Sequence, residues 1–109
     1  MRISFDFDST LTEPHVQEIA KALIKAGHYV RITTSRPSKS YPIIGEPECC
    51  FNNHDLYEVM REVGIDDVMF TEGEYKARYL DSFDLHFEDD LTEIAEIKEK
   101  CKNCKVIKV

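Results

Sequence analysis

Strand-like and helix-like segments alternate along this chain, and that alternation restricts the fold more than any other feature of the sequence. Ile3 to Phe7 reads as a short strand, apolar apart from Ser4 until it reaches an acidic end. Val16, Ile19, Ala20 and Leu23 then mark one face of a helix, with Pro14 in its first turn and Gly27 just past its end. His28 to Thr34 is rich in β-branched and aromatic residues, the composition of a second strand. Asn53 caps a helix that turns Leu56, Val59, Met60 and Val63 inward and stops at Gly64. Asp67 to Thr71 makes a third strand, a short helix covers Tyr75 to Leu80, and Leu85 to Phe87 makes a fourth strand. Asp90 with Glu93 resembles a capping box and opens a helix with Leu91, Ile94, Ile97 and Cys101 inward. Lys105 to Val109 closes the chain as a fifth strand.

This order predicts an α/β fold: a Rossmann-like, five-stranded parallel sheet with helices on both faces. The elements use nearly all of residues 1–109, so one domain without a cap domain is expected. Arg36 to Cys50 carries three prolines and a glycine and has no periodicity, so it reads as a long loop of the kind that often serves function.

Fourteen basic residues stand against twenty-one acidic ones, a formal charge of −7. That balance repels polyanions and argues against a long nucleic-acid partner. A small phosphorylated substrate is still compatible, because a bound cation and one or two basic residues can reverse the sign inside a pocket. No apolar stretch is long enough for a membrane span, and the first residues lack a signal-peptide pattern, so a cytoplasmic location is the expectation.

Parallel sheets bind ligands beyond the carboxyl ends of their strands. Four reactive groups fall on that side: Asp6 to Thr10 after the first strand, Thr34 to Arg36 after the second, Lys76 after the third, and Glu88 to Asp90 after the fourth. Several carboxylates brought together repel one another unless a cation sits among them. Oxygen ligands without nearby His or Cys favour a hard ion, magnesium foremost. One carboxylate can then attack phosphorus, a second can act as general acid and base, and a hydroxyl and a lysine can steady the phosphoryl oxygens.

Asp6-Phe7-Asp8-Ser9-Thr10 resembles the Asp-x-Asp-x-Thr motif of the haloacid dehalogenase superfamily, and the other groups follow in that family's order. The resemblance implies a Mg2+-dependent phosphomonoesterase. In it Asp6 is nucleophile and metal ligand, and Asp8 is general acid/base and ligand through its backbone carbonyl. Thr34 is the phosphate-binding hydroxyl, with Ser35 as the alternative contact, and Lys76 is the phosphate-binding lysine. In the run Phe87-Glu88-Asp89-Asp90, Asp89 fits the metal-ligand position best, with Asp90 and Glu88 as rivals. Arg36 is a candidate substrate contact. Thr34-Ser35-Arg36-Pro37 resembles nucleotidase-like and phage-type members, which points to a nucleotide, sugar phosphate or other small phosphoester. Tyr41 is a candidate for contacting a ring. Capless members act on macromolecular phosphoesters or gain a cap by oligomerising, so a homo-oligomer supplying a cap is also implied.

Two other classes compete. One is a catalytically degenerate relative that binds a phosphorylated ligand or a protein partner; the Asp6/Asp8 pair argues against it. The other is a phosphotransfer receiver domain, disfavoured because Phe70-Thr71-Glu72 ends the third strand without an aspartate. Of the four cysteines, Cys101-x-x-Cys104 lies at the opposite edge from Cys49 and Cys50, so free thiols are expected rather than a shared zinc site.

Overall fold

A computed structural model of the chain describes residues 1–39, 41–43 and 46–109, with the side chains of 41–43 and 46–50 outside the description. Five strands, β1 (Arg2–Phe5), β2 (Tyr29–Thr34), β5 (Val68–Phe70), β6 (Leu85–Glu88) and β7 (Lys105–Lys108), form one parallel sheet in the order β5-β2-β1-β6-β7. The chain builds outward from β1 to β5, then crosses to the other side of β1 for β6 and β7. Connections of one hand therefore place their helices on opposite faces before and after that crossing. Helices α1 (Pro14–Lys25) and α2 (His54–Val63) pack against each other, while α3 (Leu91–Lys100) packs against a 3-10 turn (Lys76–Tyr79). The predicted α/β sheet is present, and no cap domain interrupts the described residues.

The two faces of the sheet differ in chemistry. Side chains alternate between faces along a strand, and the registers pair Ser4 with Arg31 on one side and with His86 on the other. Ile3, Phe5, Val30, Ile32 and Phe87 therefore share the face toward α1 and α2, in a core that also takes in Leu11, Val16, Ala20, Leu56 and Met60. The Phe5 and Phe87 rings stack with centroids 4.5 Å apart. Ser4, Arg31, Thr33, His86 and Glu88 occupy the opposite face, and all of them are buried, Arg31 being the most accessible at 8%. A second, smaller cluster around Leu80, Phe83, Ile97, Cys101 and Cys104 closes that side.

Several local expectations need correction. Arg36 to Cys50 is not all loop: β3 (Tyr41–Ile43) and β4 (Glu46–Phe51) pair as an antiparallel hairpin with a register shift at Pro42/Ile43. A two-stranded ribbon consists only of edges, where proline costs no ladder bond. Leu91 is 68% exposed and Ile19 41%, so neither is a core residue. Asn53 precedes α2 but makes no side-chain cap; its amide nitrogen donates to the Pro37 carbonyl at 2.9 Å. Asp90 does cap α3, accepting from the Thr92 and Glu93 N–H groups at 2.8 and 3.1 Å. Glu93 does not complete the box, because its carboxylate accepts from the Lys76 N–H at 3.1 Å. Cys101 and Cys104 are buried free thiols, and burial pushes Cys104 up to about 12. The side chains of Cys49, Cys50 and Tyr41 lie outside the described residues.

Candidate active site

The sheet order reverses at β1, and the crevice that opens there lies beyond the ends of β1 and β6. Asp6 leaves β1 with its N–H bonded to the Phe87 carbonyl at 2.9 Å, which ties the first acid to the strand carrying the others. The next residues form an irregular π-type turn (Phe7–Leu11) in which Ser9 takes a left-handed φ of +59°. A non-glycine residue there costs on the order of 1 kcal/mol, a strain that clusters at functional sites. The turn leaves Asp8 exposed and folds Thr10 back into the interior. The Thr10 hydroxyl lies 3.1 Å from both Asp6 Oδ2 and Asp89 Oδ1, and its single proton can serve either.

A cleft of about 230 Å³ gathers Asp6, Asp8, Ser35, Lys76, Glu88 and Asp89, with Ser9, Asp90 and Glu93 on its walls. Lys76, 3% exposed, donates to Asp6 Oδ1 at 2.6 Å and to Glu88 Oε1 at 2.8 Å. Glu88 also bonds His86 Nε2 at 2.9 Å, and its other oxygen accepts from the Asp90 N–H at 3.3 Å. Burial works against the Lys76 ammonium, but the charges of Asp6 and Glu88 outweigh it and raise its pKa. Burial would likewise raise Glu88, yet the His86 and Lys76 donors hold it at about 2. At Asp6 burial wins: together with the Asp89 hydrogen bond and the Glu88 charge, it outweighs Lys76 and pushes Asp6 up to about 8. Lys76 and Glu88 form a buried charged pair, and burial beside the other acids strengthens the hold of Asp6 on a proton.

A cation can replace that proton. Carboxylate oxygens of Asp6, Glu88 and Asp89 lie within 4.8 Å of one another, and this oxygen-only set suits a hard cation. Glu88 is the most committed of the three, with three hydrogen bonds against two at Asp6. Asp90 caps α3 through Oδ1 and is not one of the three acids whose oxygens converge.

The remaining candidates divide. Ser35 is exposed and lines the cleft, whereas Thr34 is 1% exposed, lies off the cleft wall, and accepts from the Arg36 N–H at 3.3 Å. Arg36 is fully engaged within the protein. It grips Asp8 at 2.7 and 3.0 Å and Asp55 at 2.8 and 3.0 Å, and reaches Asn53 at 3.4 Å. These contacts use all five guanidinium N–H groups. The hydrogen bonds to Asp55 and Asp8 raise the Arg36 pKa, and Arg36 in turn lowers that of Asp55. Each Asp8 oxygen accepts one bond from this clamp, which holds the carboxylate toward Arg36. The sequence reading overlooked His86, Ser4 and Glu93. For Ser4 and His86 the signal was the polar residue at every second position along β1 and β6, Ser4/Asp6 and His86/Glu88; Glu93, on α3, carried no such signal.

No family model and no curated protein matches this chain.

Proposed function

We propose that the protein is a Mg2+-dependent phosphomonoesterase working through an aspartyl-phosphate on Asp6, as its resemblance to the haloacid dehalogenase superfamily implies. The observation that carries this reading is a buried aspartate 2.6 Å from a buried lysine, at the crevice where the sheet order reverses and beside two further acids. Asp6, Asp89 and the Asp8 carbonyl would hold magnesium, which would supply positive charge to the acids and to the phosphoryl oxygens. An ionised Asp6 carboxylate attacks phosphorus, forming one O–P bond as the bond to the leaving oxygen breaks. Asp8, released from Arg36, gives its proton to that leaving oxygen. It then takes a proton from water as the water attacks phosphorus, which returns inorganic phosphate and the free Asp6 carboxylate. Lys76 and the Ser35 hydroxyl compensate the charge on the transferring group. The small open cleft suits a nucleotide, a sugar phosphate or another small phosphoester.

The test is phosphate release from a chromogenic phosphomonoester, with magnesium and with chelator, by the natural chain and by Asp6→Asn. Magnesium-dependent release that disappears in Asp6→Asn is expected. Equal release by both proteins would remove Asp6 from the nucleophile's role. If neither turns over, beryllofluoride decides: an adduct at Asp6 supports a selective phosphatase, and its absence favours a binding module that keeps the site without the reaction.

A further inference from the structure

Cys101 and Cys104 lie outside the candidate site, where α3 gives way to β7. The Cys104 N–H donates to the Cys101 carbonyl at 3.3 Å, which closes Cys101-Lys102-Asn103-Cys104 into a turn. Such a turn keeps its end Cα atoms within about 7 Å, and a disulfide accepts roughly 4.4–6.8 Å. Both side chains pack in the same apolar cluster, with Leu80, Phe83 and Ile97, and are 2% and 4% exposed. The two thiols also act on each other directly. Cys101 Sγ lies 3.7 Å from Asp81 Oδ1, just past the 3-10 turn that carries Lys76.

A single buried cysteine is a small apolar filler. Two of them at the ends of one closed turn, packed in one cluster, are a dithiol whose backbone is already placed for a bond between the sulfurs. A zinc site would need further ligands. Among the described residues, only Asp6, Glu88 and Asp89 bring three metal-ligating groups within 4.8 Å of one another, so the pair lacks those partners. Burial, with Asp81 beside Cys101 and with Cys101 and Asp84 beside Cys104, disfavours either thiolate. That slows attack on an oxidant. It also withholds from the reduced form the stabilisation that makes catalytic Cys-x-x-Cys disulfides easy to reduce.

We propose that Cys101 and Cys104 form a reversible disulfide that ties the end of α3 to the start of β7. The oxidant is a low-molecular-weight disulfide of the glutathione kind. One cysteine sulfur, as thiolate, attacks it, forming a mixed disulfide and expelling one small thiol. The second cysteine then attacks the first cysteine's sulfur, closing the Cys101–Cys104 bond and expelling the other small thiol. The chain loses two electrons and two protons, and the oxidant leaves as two thiols. Cys101 thereby gives up its hydrogen bond to Asp81, so the segment that follows Lys76 registers the change. The disulfide stands or falls separately from the phosphatase reading.

The test equilibrates the full chain in glutathione buffers of graded oxidised-to-reduced ratio, once as folded protein and once by refolding from urea. Samples are quenched in acid, alkylated and mapped by mass spectrometry, which separates this pair from Cys49 and Cys50. Both routes are expected to reach the same fraction of a Cys101–Cys104 link, lighter by two hydrogens and reversed by dithiothreitol. The linked protein should keep its circular dichroism and unfold at the same urea concentration or a higher one, because the ends of the turn are already together. Refolding removes burial as an obstacle, so thiols that stay free by both routes at the most oxidising ratio would overturn the proposal. A lasting glutathione adduct, or bonding to Cys49 or Cys50 instead, would do the same. A linked form that unfolds at lower urea than the reduced one would show a bond that the fold resists, and would also overturn it.

Discussion

The two faces of the central sheet are equally shut off from water, yet they are held by different forces. Toward α1 and α2, Ile3, Phe5, Ile32 and Phe87 need only be apolar and of the right volume. On the other face, Ser4, Thr33, His86 and Glu88 each need a particular partner at a particular angle. Parallel strands covered on both faces usually read as continuous apolar runs. β1, β2 and β6 alternate instead, and their polar positions lead in register toward Asp6 and Lys76. Burial therefore does not separate scaffold from site in this molecule. Directionality does, and the polar face trades the tolerance of a hydrocarbon core for control over where charges and protons sit.

The sharpest way to break this comparison is to remove function from the polar face without touching the fold. Asp6→Asn keeps the shape of the side chain and removes its capacity to ionise. Turnover should fall by about four orders of magnitude or more, the scale seen when a nucleophile is removed. Circular dichroism and the unfolding midpoint in chelator should stay near native. A large loss of stability would mean that Asp6 is chiefly structural.

Next in size are two substitutions of comparable cost and different origin. Phe5→Ala removes a fully buried ring from the apolar face and should destabilise by about 3–5 kcal/mol. Lys76→Met strands Asp6 and Glu88 without their shared cation, and losing one partner of a buried pair costs about 3–5 kcal/mol. Urea unfolding with and without magnesium separates them. Added magnesium should recover part of the Lys76→Met loss and none of the Phe5→Ala loss. Equal behaviour of the two variants would erase the distinction between the faces.

The same distinction explains what was legible in the sequence. The apolar face announces itself through strand composition, so all five strands of the sheet, and the helices between them, could be placed within a few residues. Asp6, Lys76 and Asp89 could be brought to one crevice because strand ends in a parallel sheet share a side. Thr34 was harder: the end of a strand fixes where a hydroxyl lies but not whether it faces the cleft, and here Ser35 does. Arg36 looked available because its partner Asp55 is distant in sequence and nothing in the spacing joins them. The hairpin of β3 and β4 was hidden by Pro42 and Pro47, which are read as breakers unless the strands are known to be edges. Ser4, Thr33 and His86 meet only through register across three strands, and look like isolated polar residues until that register is fixed.

The smallest effect, and the one most specific to the polar face, is on pH. Asp6 is raised from its ordinary 3.8 to about 8, so between those values the folded protein holds a proton that the unfolded chain has released. Its contribution is therefore greatest at low pH and is lost as pH rises through about 8. Glu88 works in the opposite sense: held at about 2, it supplies stability above its ordinary 4.5 that disappears as pH falls toward 2. In chelator the Asp6 proton should make unfolding easier at pH 8.5 than at pH 6, by at most about 1.4 kcal/mol per pH unit. On the proposed reading magnesium would take the place of the Asp6 proton, so it should flatten the dependence over this range. Phe5→Ala should lower the whole curve without changing its shape, because no proton is linked to the apolar face. A pH curve that magnesium leaves unaltered would show that the acids at the crevice do not share their charge with a metal, and would separate the polar face from the chemistry proposed for it.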